Sequence, residues 1–163
     1  MTAKDAIKRV FDSNFTILEK YVSDLSDADL LVRPVPGANH VAWQLGHLIA
    51  SEISLLSSIP GGAPLELPPG FAERHGKETA AVEPPKGFLT KAEYLSIFKK
   101  VRAQTFAKLD KLPDADVDKP NTGRMAQLCP KIGDLFLLAA THQLMHAGQF
   151  VVLRRKLGKP ILI

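Results

Sequence analysis

In four stretches of the chain, apolar residues recur three and four positions apart, the spacing of a helix that buries one face. The first stretch runs from about Thr2 to Leu25. Ile7, Val10, Phe11, Leu18, Tyr21, Val22 and Leu25 fall on one side of it, and Thr2 with Asp5 supplies a start. Arg33-Pro34-Val35-Pro36-Gly37 then breaks the pattern, since two prolines and a glycine cannot continue a helix. Asn39 is placed to cap a second helix that ends near Ser58, before Ile59-Pro60-Gly61-Gly62. The third helix has the clearest start: Thr90-Lys91-Ala92-Glu93 is a capping box. Its inner stripe is Tyr94, Phe98, Val101, Thr105 and Leu109, with Lys99, Lys100, Gln104, Lys108 and Lys111 outside, and Leu112-Pro113 closes it. The fourth begins near Pro130 or Lys131, with Asp134 suited to its positive end, and stops at Leu157, where Gly158 and Pro160 follow.

Helices two and three are separated by a long connection from Pro60 to Gly87, carrying Pro60, Pro64, Pro68, Pro69, Pro84 and Pro85. A short helix over about Gly70 to Lys77 fits inside it. A connection this long lets the helices it joins run parallel, where a tight loop would force them antiparallel. No strand-type alternation and no repeat is present. The fold expected is all-α: a four-helix bundle with a long crossover between helices 2 and 3, forming one domain over residues 1–163. The apolar tail Ile161-Leu162-Ile163 is expected to pack against it.

Two helices are apolar on more than one side. In the second, Val41, Leu45, Leu48, Ile49 and Leu56 lie roughly opposite Trp43, His47, Ala50 and Ser54. In the fourth, Leu137, Leu144, Gly148 and Val151 lie opposite His142 and His146. A helix apolar on both sides is buried on both, so a second packing surface, a homodimer interface, is expected.

Composition narrows the partners. The 163 residues carry a net charge of +4, with 45% hydrophobic and 23% charged residues. The lysines are dispersed, and the densest basic run, Arg154-Arg155-Lys156, sits where cations favour a helix C-terminus. No recognition-helix motif or basic stripe points to nucleic acid. No long uninterrupted apolar run points to a membrane, and the first residues lack the apolar stretch of a secretory signal. The single cysteine, Cys129, excludes an internal disulfide and reads as a small buried or loop thiol. A cytoplasmic location is the default expectation.

The chemistry is in the histidines. His142 and His146 are four residues apart, with directions ~40° apart and a rise of ~6 Å between them. They share the stripe of Leu135, Leu138, Ala139 and Leu153, so both point toward the core. Two imidazoles at that spacing can reach one ion, and a catalytic site takes a third protein ligand and keeps a position open. His47, in the middle of the second helix, is the candidate third ligand. His40 lies ~10 Å from it along the axis, too far for the same ion, and is read as lining the mouth of a pocket. Gln149 continues the line of His142 and His146. His75, in the long connection, reads as solvated; with Arg74 and Lys77 it could meet an anionic substrate. Glu52 points ~140° away from His47, into the aliphatic stripe, and reads as half of a buried salt bridge.

Trp43-x3-His47 in an early helix and His142-x3-His146-x-Gly148-Gln149 in the last resemble the DinB/YfiT-like superfamily. Helix order, the long second connection and the final Leu157-Gly158-Lys159-Pro160 fit it over the whole chain. The resemblance implies one divalent metal ion, nickel or zinc, on His47, His142 and His146. Characterised members include bacillithiol-dependent thiol transferases and a mycothiol-dependent isomerase, so a low-molecular-weight thiol enters as a candidate cofactor. His40, Trp43 and Gln149 are the candidate contacts to a small-molecule substrate, although Trp43 also reads as a packing residue. Two functions stay open: a metal-dependent enzyme (a thiol S-transferase or a hydrolase), or a non-catalytic stress-response bundle that binds metal or another ligand.

Overall fold

Capping side chains set the helix starts in the computed structural model, which describes residues 1–60, 67–83 and 85–162. Pro64 and Pro84 of the connection and Ile163 of the tail lie outside the described residues. Thr2 and Asp5 form the reciprocal cap of α1 (Ala3–Val22). Ser26 and Asp29 do the same for α2 (Asp27–Leu30), a single turn that the hydrophobic pattern did not expose. Thr90 and Glu93 start α5 (Lys91–Lys111) as expected. Asp134 accepts the Lys131 amide at the start of α6 (Ile132–Lys156), where a carboxylate also meets the positive helix end. Gly158 ends α6 with φ +67°, a left-handed conformation that costs glycine nothing.

The start of α3 (Val41–Leu55) differs from the expectation. The cap is His40, not Asn39: its Nδ1 accepts the Trp43 amide at 3.1 Å. An unprotonated ring nitrogen has the same acceptor lone pair as the usual capping oxygens.

Among the described residues the chain is all-helical, with no strand. The four long helices α1, α3, α5 and α6 pack on one another, and short turns, including α4 (Phe71–Arg74), lie in the connections. Side-chain bonds fix their directions. Asn14 of α1 donates to the Ala140 carbonyl at 3.0 Å and Arg154 of α6 donates to the Tyr21 carbonyl at 2.8 Å, so α1 and α6 run parallel. Lys8 pairs with Asp110 and Glu19 with Lys99, so α5 opposes α1. Glu52 meets Arg102, and Lys108 donates to the Leu56 and Ile59 carbonyls, so α3 and α5 run parallel. The long connection permits that direction, as expected.

Buried side chains fill two contiguous regions. Leu18, Leu45, Ile49, Phe98 and Phe150 belong to one, and Phe11, Leu109, Phe136 and Ala140 to the other. The inner stripe of α5 is buried at every position named from the sequence. Glu52 and Arg102 form the expected buried pair: Arg102 Nη2 donates to Glu52 Oε2 at 3.1 Å and Thr105 Oγ1 donates to Oε1 at 2.6 Å. Burial pushes the Glu52 carboxyl up and the Arg102 guanidinium down, and the contact between them opposes both shifts. The guanidinium carbon also lies 4.0 Å from the centre of the Phe11 ring, a cation–π contact that covers donors left without hydrogen bonds.

Two expectations need correction, for the tail and for His75. Ile161 and Leu162 are exposed, so the described part of the tail does not pack. Arg154 lies in the last turn of α6, where the basic run was expected, and has a structural role there. It is fully buried and pairs with Asp24, two residues past the end of α1. His75 is buried rather than solvated: its Nδ1 donates to the Phe71 carbonyl and its Nε2 accepts from the Tyr94 hydroxyl, both at 2.7 Å. The ring lies on the α3 backbone at Gly46, where any Cβ would overlap it. That close approach fastens the connection over α3 just beside His47.

α6 has the length and mean hydropathy of a membrane-crossing segment. Its packing along α1 accounts for much of that apolar character. Its outer face nevertheless stays open, with Leu137, Leu144, Met145 and Val152 exposed.

Candidate metal centre

α3 and α6 pack antiparallel, which sets the middle of one against the middle of the other. His47 on α3 faces His142 and His146 on α6, and one ring nitrogen from each lies within 4.8 Å of the other two. The Nε2 atoms of His142 and His146 are 3.1 Å apart. Two imidazole nitrogens bound to one ion at ~2.0–2.1 Å sit roughly 3 Å from each other, so the donor set fits a divalent cation.

The rings are oriented by neighbours. Gln44, one turn before His47, is buried, and its Oε1 is 2.7 Å from Nδ1 of His146. Its own Nε2 donates to the Asn39 carbonyl at 2.8 Å, which aims the amide oxygen at the ring. An amide oxygen only accepts, so Nδ1 of His146 carries the proton and Nε2 presents its lone pair to the cluster. Trp43 lies parallel to the His47 ring, 9° from coplanar with centres 4.8 Å apart. The indole is held in turn by Nε1, which donates to the Gly76 carbonyl at 3.2 Å and to Thr79 Oγ1 at 3.3 Å. Ser51 Oγ stands 3.4 Å from Nε2 of His47.

Electrostatics favour neutral rings. Burial lowers all three pKa values; the charge of Lys77 adds to it at His47, that of His47 at His142, and those of His142 and His47 at His146. His146, the most buried, is held down to about 3. Neutral imidazole is the form that binds a metal ion, so burial removes the competing proton.

The other sequence candidates lie elsewhere. His40 is buried at the start of α3; its ring caps the helix, packs edge-on to Phe88, and is held down to about 4 by burial. Gln149 is exposed on α6. Glu52 is committed to Arg102 and Thr105, and among the described residues no carboxylate joins the three histidines. Cys129 is buried, and its thiol is pushed up by burial, which makes it a packing residue. The sequence reading missed Gln44. Its spacing to His47 puts it one turn away, but its partner lies 102 residues along the chain.

A family model described as the DinB superfamily matches residues 11–150, a span that contains all three histidines. No curated protein matches. Among solved structures, the crystal structure of a conserved protein from Enterococcus faecalis aligns with a TM-score of 0.69 at 18% identity. The alignment covers 98% of this chain and 99% of that one, which shows a shared fold.

Proposed function

The chain belongs to the DinB superfamily, and from that premise we propose that it is a four-helix bundle that binds one divalent metal ion, nickel or zinc, through His47, His142 and His146 and activates a low-molecular-weight thiol for S-transfer. The observation that carries the reading is the convergence of three imidazole nitrogens from two helices within 4.8 Å. When bound, a divalent cation supplies Lewis acidity that lowers the pKa of a thiol or water approaching it.

The surroundings favour the thiol. A free thiol has a pKa of about 8.5, so a modest shift makes it a thiolate near neutral pH. Hydrolysis starts from water, whose pKa is about 15.7, and is commonly helped by a carboxylate base. The carboxylate of Glu52 is spent on Arg102. In the transfer itself the thiol proton goes to solvent, sulfur bonds to an electrophilic carbon, and the leaving group departs with the electron pair. Gln44 keeps the proton of His146 on Nδ1, and Trp43 holds the plane of His47 beside the reacting space. A non-catalytic metal-binding bundle is the second reading, supported by the fact that among the described residues no acid–base side chain beyond the three imidazoles joins the cluster.

The uncharged outer face of α6, with Leu144 and Met145 exposed, supports a homodimer as the assembly. Sedimentation is expected to give the dimer mass at micromolar concentration, and monomer alone would contradict it.

Metal analysis tests the site. Purified protein is expected to carry one equivalent of a divalent transition metal, and His142→Ala to lose it. Equal metal content in both would defeat the proposal. Metal-dependent consumption of a thiol with an electrophile separates the enzyme from the non-catalytic bundle.

A further inference from the structure

A chain of buried polar groups ties the start of α5 to the connection that lies over α3. Tyr94, in the first turns of α5, accepts from the Leu89 amide at 3.4 Å and donates its own proton to Nε2 of His75 at 2.7 Å. Nδ1 of His75 donates to the Phe71 carbonyl at 2.7 Å. Burial holds the His75 ring down to about 4 and pushes the Tyr94 hydroxyl up, so the ring keeps its lone pair and the hydroxyl its proton. These bonds seat the His75 ring on Gly46, where a Cβ would overlap it.

The main chain beside that ring reaches the histidine cluster. The His47 ring hydrogen-bonds the main chain of His75, and the bond favours the protonated ring against burial. Such a bond is one the ring donates, so the acceptor is the His75 carbonyl. The next carbonyl, of Gly76, accepts from Nε1 of Trp43 at 3.2 Å, and that indole stacks on the His47 ring. Two consecutive carbonyls of the connection therefore hold His47 and the ring lying against it. A neutral imidazole has one proton, and spending it on the His75 carbonyl leaves the other nitrogen with its lone pair. Gln44 does this for His146 from within α3, whereas for His47 the acceptor comes from the connection.

We propose that Tyr94 and His75 are positioning residues for the metal centre. Tyr94 fixes the His75 ring on Gly46, and the His75 carbonyl so placed keeps His47 in the one tautomer that presents a lone pair to His142 and His146. Removing the Tyr94 hydroxyl strands a buried acceptor on His75 and releases the carbonyl. The effect on metal affinity rests on the metal-centre reading; the tautomer of His47 does not.

The test reads the ring-nitrogen NMR shifts of His47 in metal-free protein above neutral pH, beside zinc affinity by chelator competition. The parent is expected to show a single His47 tautomer. Tyr94→Phe and His75→Ala are expected to mix the tautomers and to weaken zinc binding about tenfold. His75→Gln, whose amide offers one donor and one acceptor as the ring does, is expected to keep both properties. Arg33→Gln loosens the same connection further along, at the Ala80 and Val82 carbonyls, and is expected to change neither. Mixed tautomers in the parent, a single tautomer or undiminished affinity in Tyr94→Phe, or an equal effect of Arg33→Gln overturns the proposal. If Tyr94→Phe does not fold, the contrast between His75→Ala and His75→Gln decides in its place. If the parent binds no zinc, the metal-centre reading fails and the tautomer alone sustains or overturns the contact from His75.

Discussion

On one side of α3, Glu52 meets Arg102 and Thr105; on another, His47 meets His142 and His146. Both clusters are polar groups drawn from two helices into a largely apolar interior. In the first, opposite charges answer each other, a hydroxyl takes the second carboxylate oxygen, and aromatic rings cover the rest of the guanidinium. In the second, all three members carry acceptor nitrogens, and Gln44 keeps the one on His146 unprotonated. A cluster that closes on itself holds helices together. A cluster of like lone pairs gains little from its own members and is completed by a cation from outside.

Four changes break or sharpen that contrast. Acid comes first, because it charges several buried rings together. His40 and His75 are held down to about 4 and His146 to about 3, against an ordinary value near 6.5. Between those values the unfolded chain binds more protons, so the stability of the metal-free protein falls as pH drops from 6.5 toward 3. Denaturant titrations across that range check it, and a flat profile would mean the rings are accessible. Next, Glu52→Ala leaves the Arg102 charge buried without its partner and costs about 3–5 kcal/mol in urea unfolding. Replacing both residues with apolar ones recovers most of that loss.

Gln44→Leu acts on the open cluster. It frees the His146 tautomer and is expected to weaken metal binding about 10–100-fold by competition titration, with Gln44→Glu retaining affinity. The smallest effect is on stability: His142 is only half-buried, so the metal-free His142→Ala protein stays within about 1 kcal/mol of the parent. A larger loss would place His142 among the residues that hold the fold.

What the sequence discloses follows from locality. Capping boxes at Thr2 and Thr90, a helix start near Lys131 with Asp134 at its positive end, the stripe of α5 and the glycine stop at Gly158 depend on residues within one or two turns, and they were legible. So was the parallel course of α3 and α5, because the length of the connection permits it. The pairing of His142 with His146 is local too; His47 was named as the third candidate from its place in the middle of the second helix, and the family pattern implied the same three residues. His75 was misread because its burial depends on a long connection folding onto Gly46, a close approach invisible in the spacing of either segment. The partner of Arg154 was hidden for the same reason, since Asp24 lies 130 residues away. His40 defeated the capping rule by chemistry: a neutral imidazole did what an asparagine next to it was expected to do.

X-ray absorption at the edge of the bound metal tests the central claim most directly. Three nitrogen neighbours at about 2.0–2.1 Å with the outer-shell scattering of imidazole rings are predicted, falling to two rings in His47→Ala. A spectrum dominated by sulfur or carboxylate oxygen, or one that does not change in His47→Ala, would contradict it.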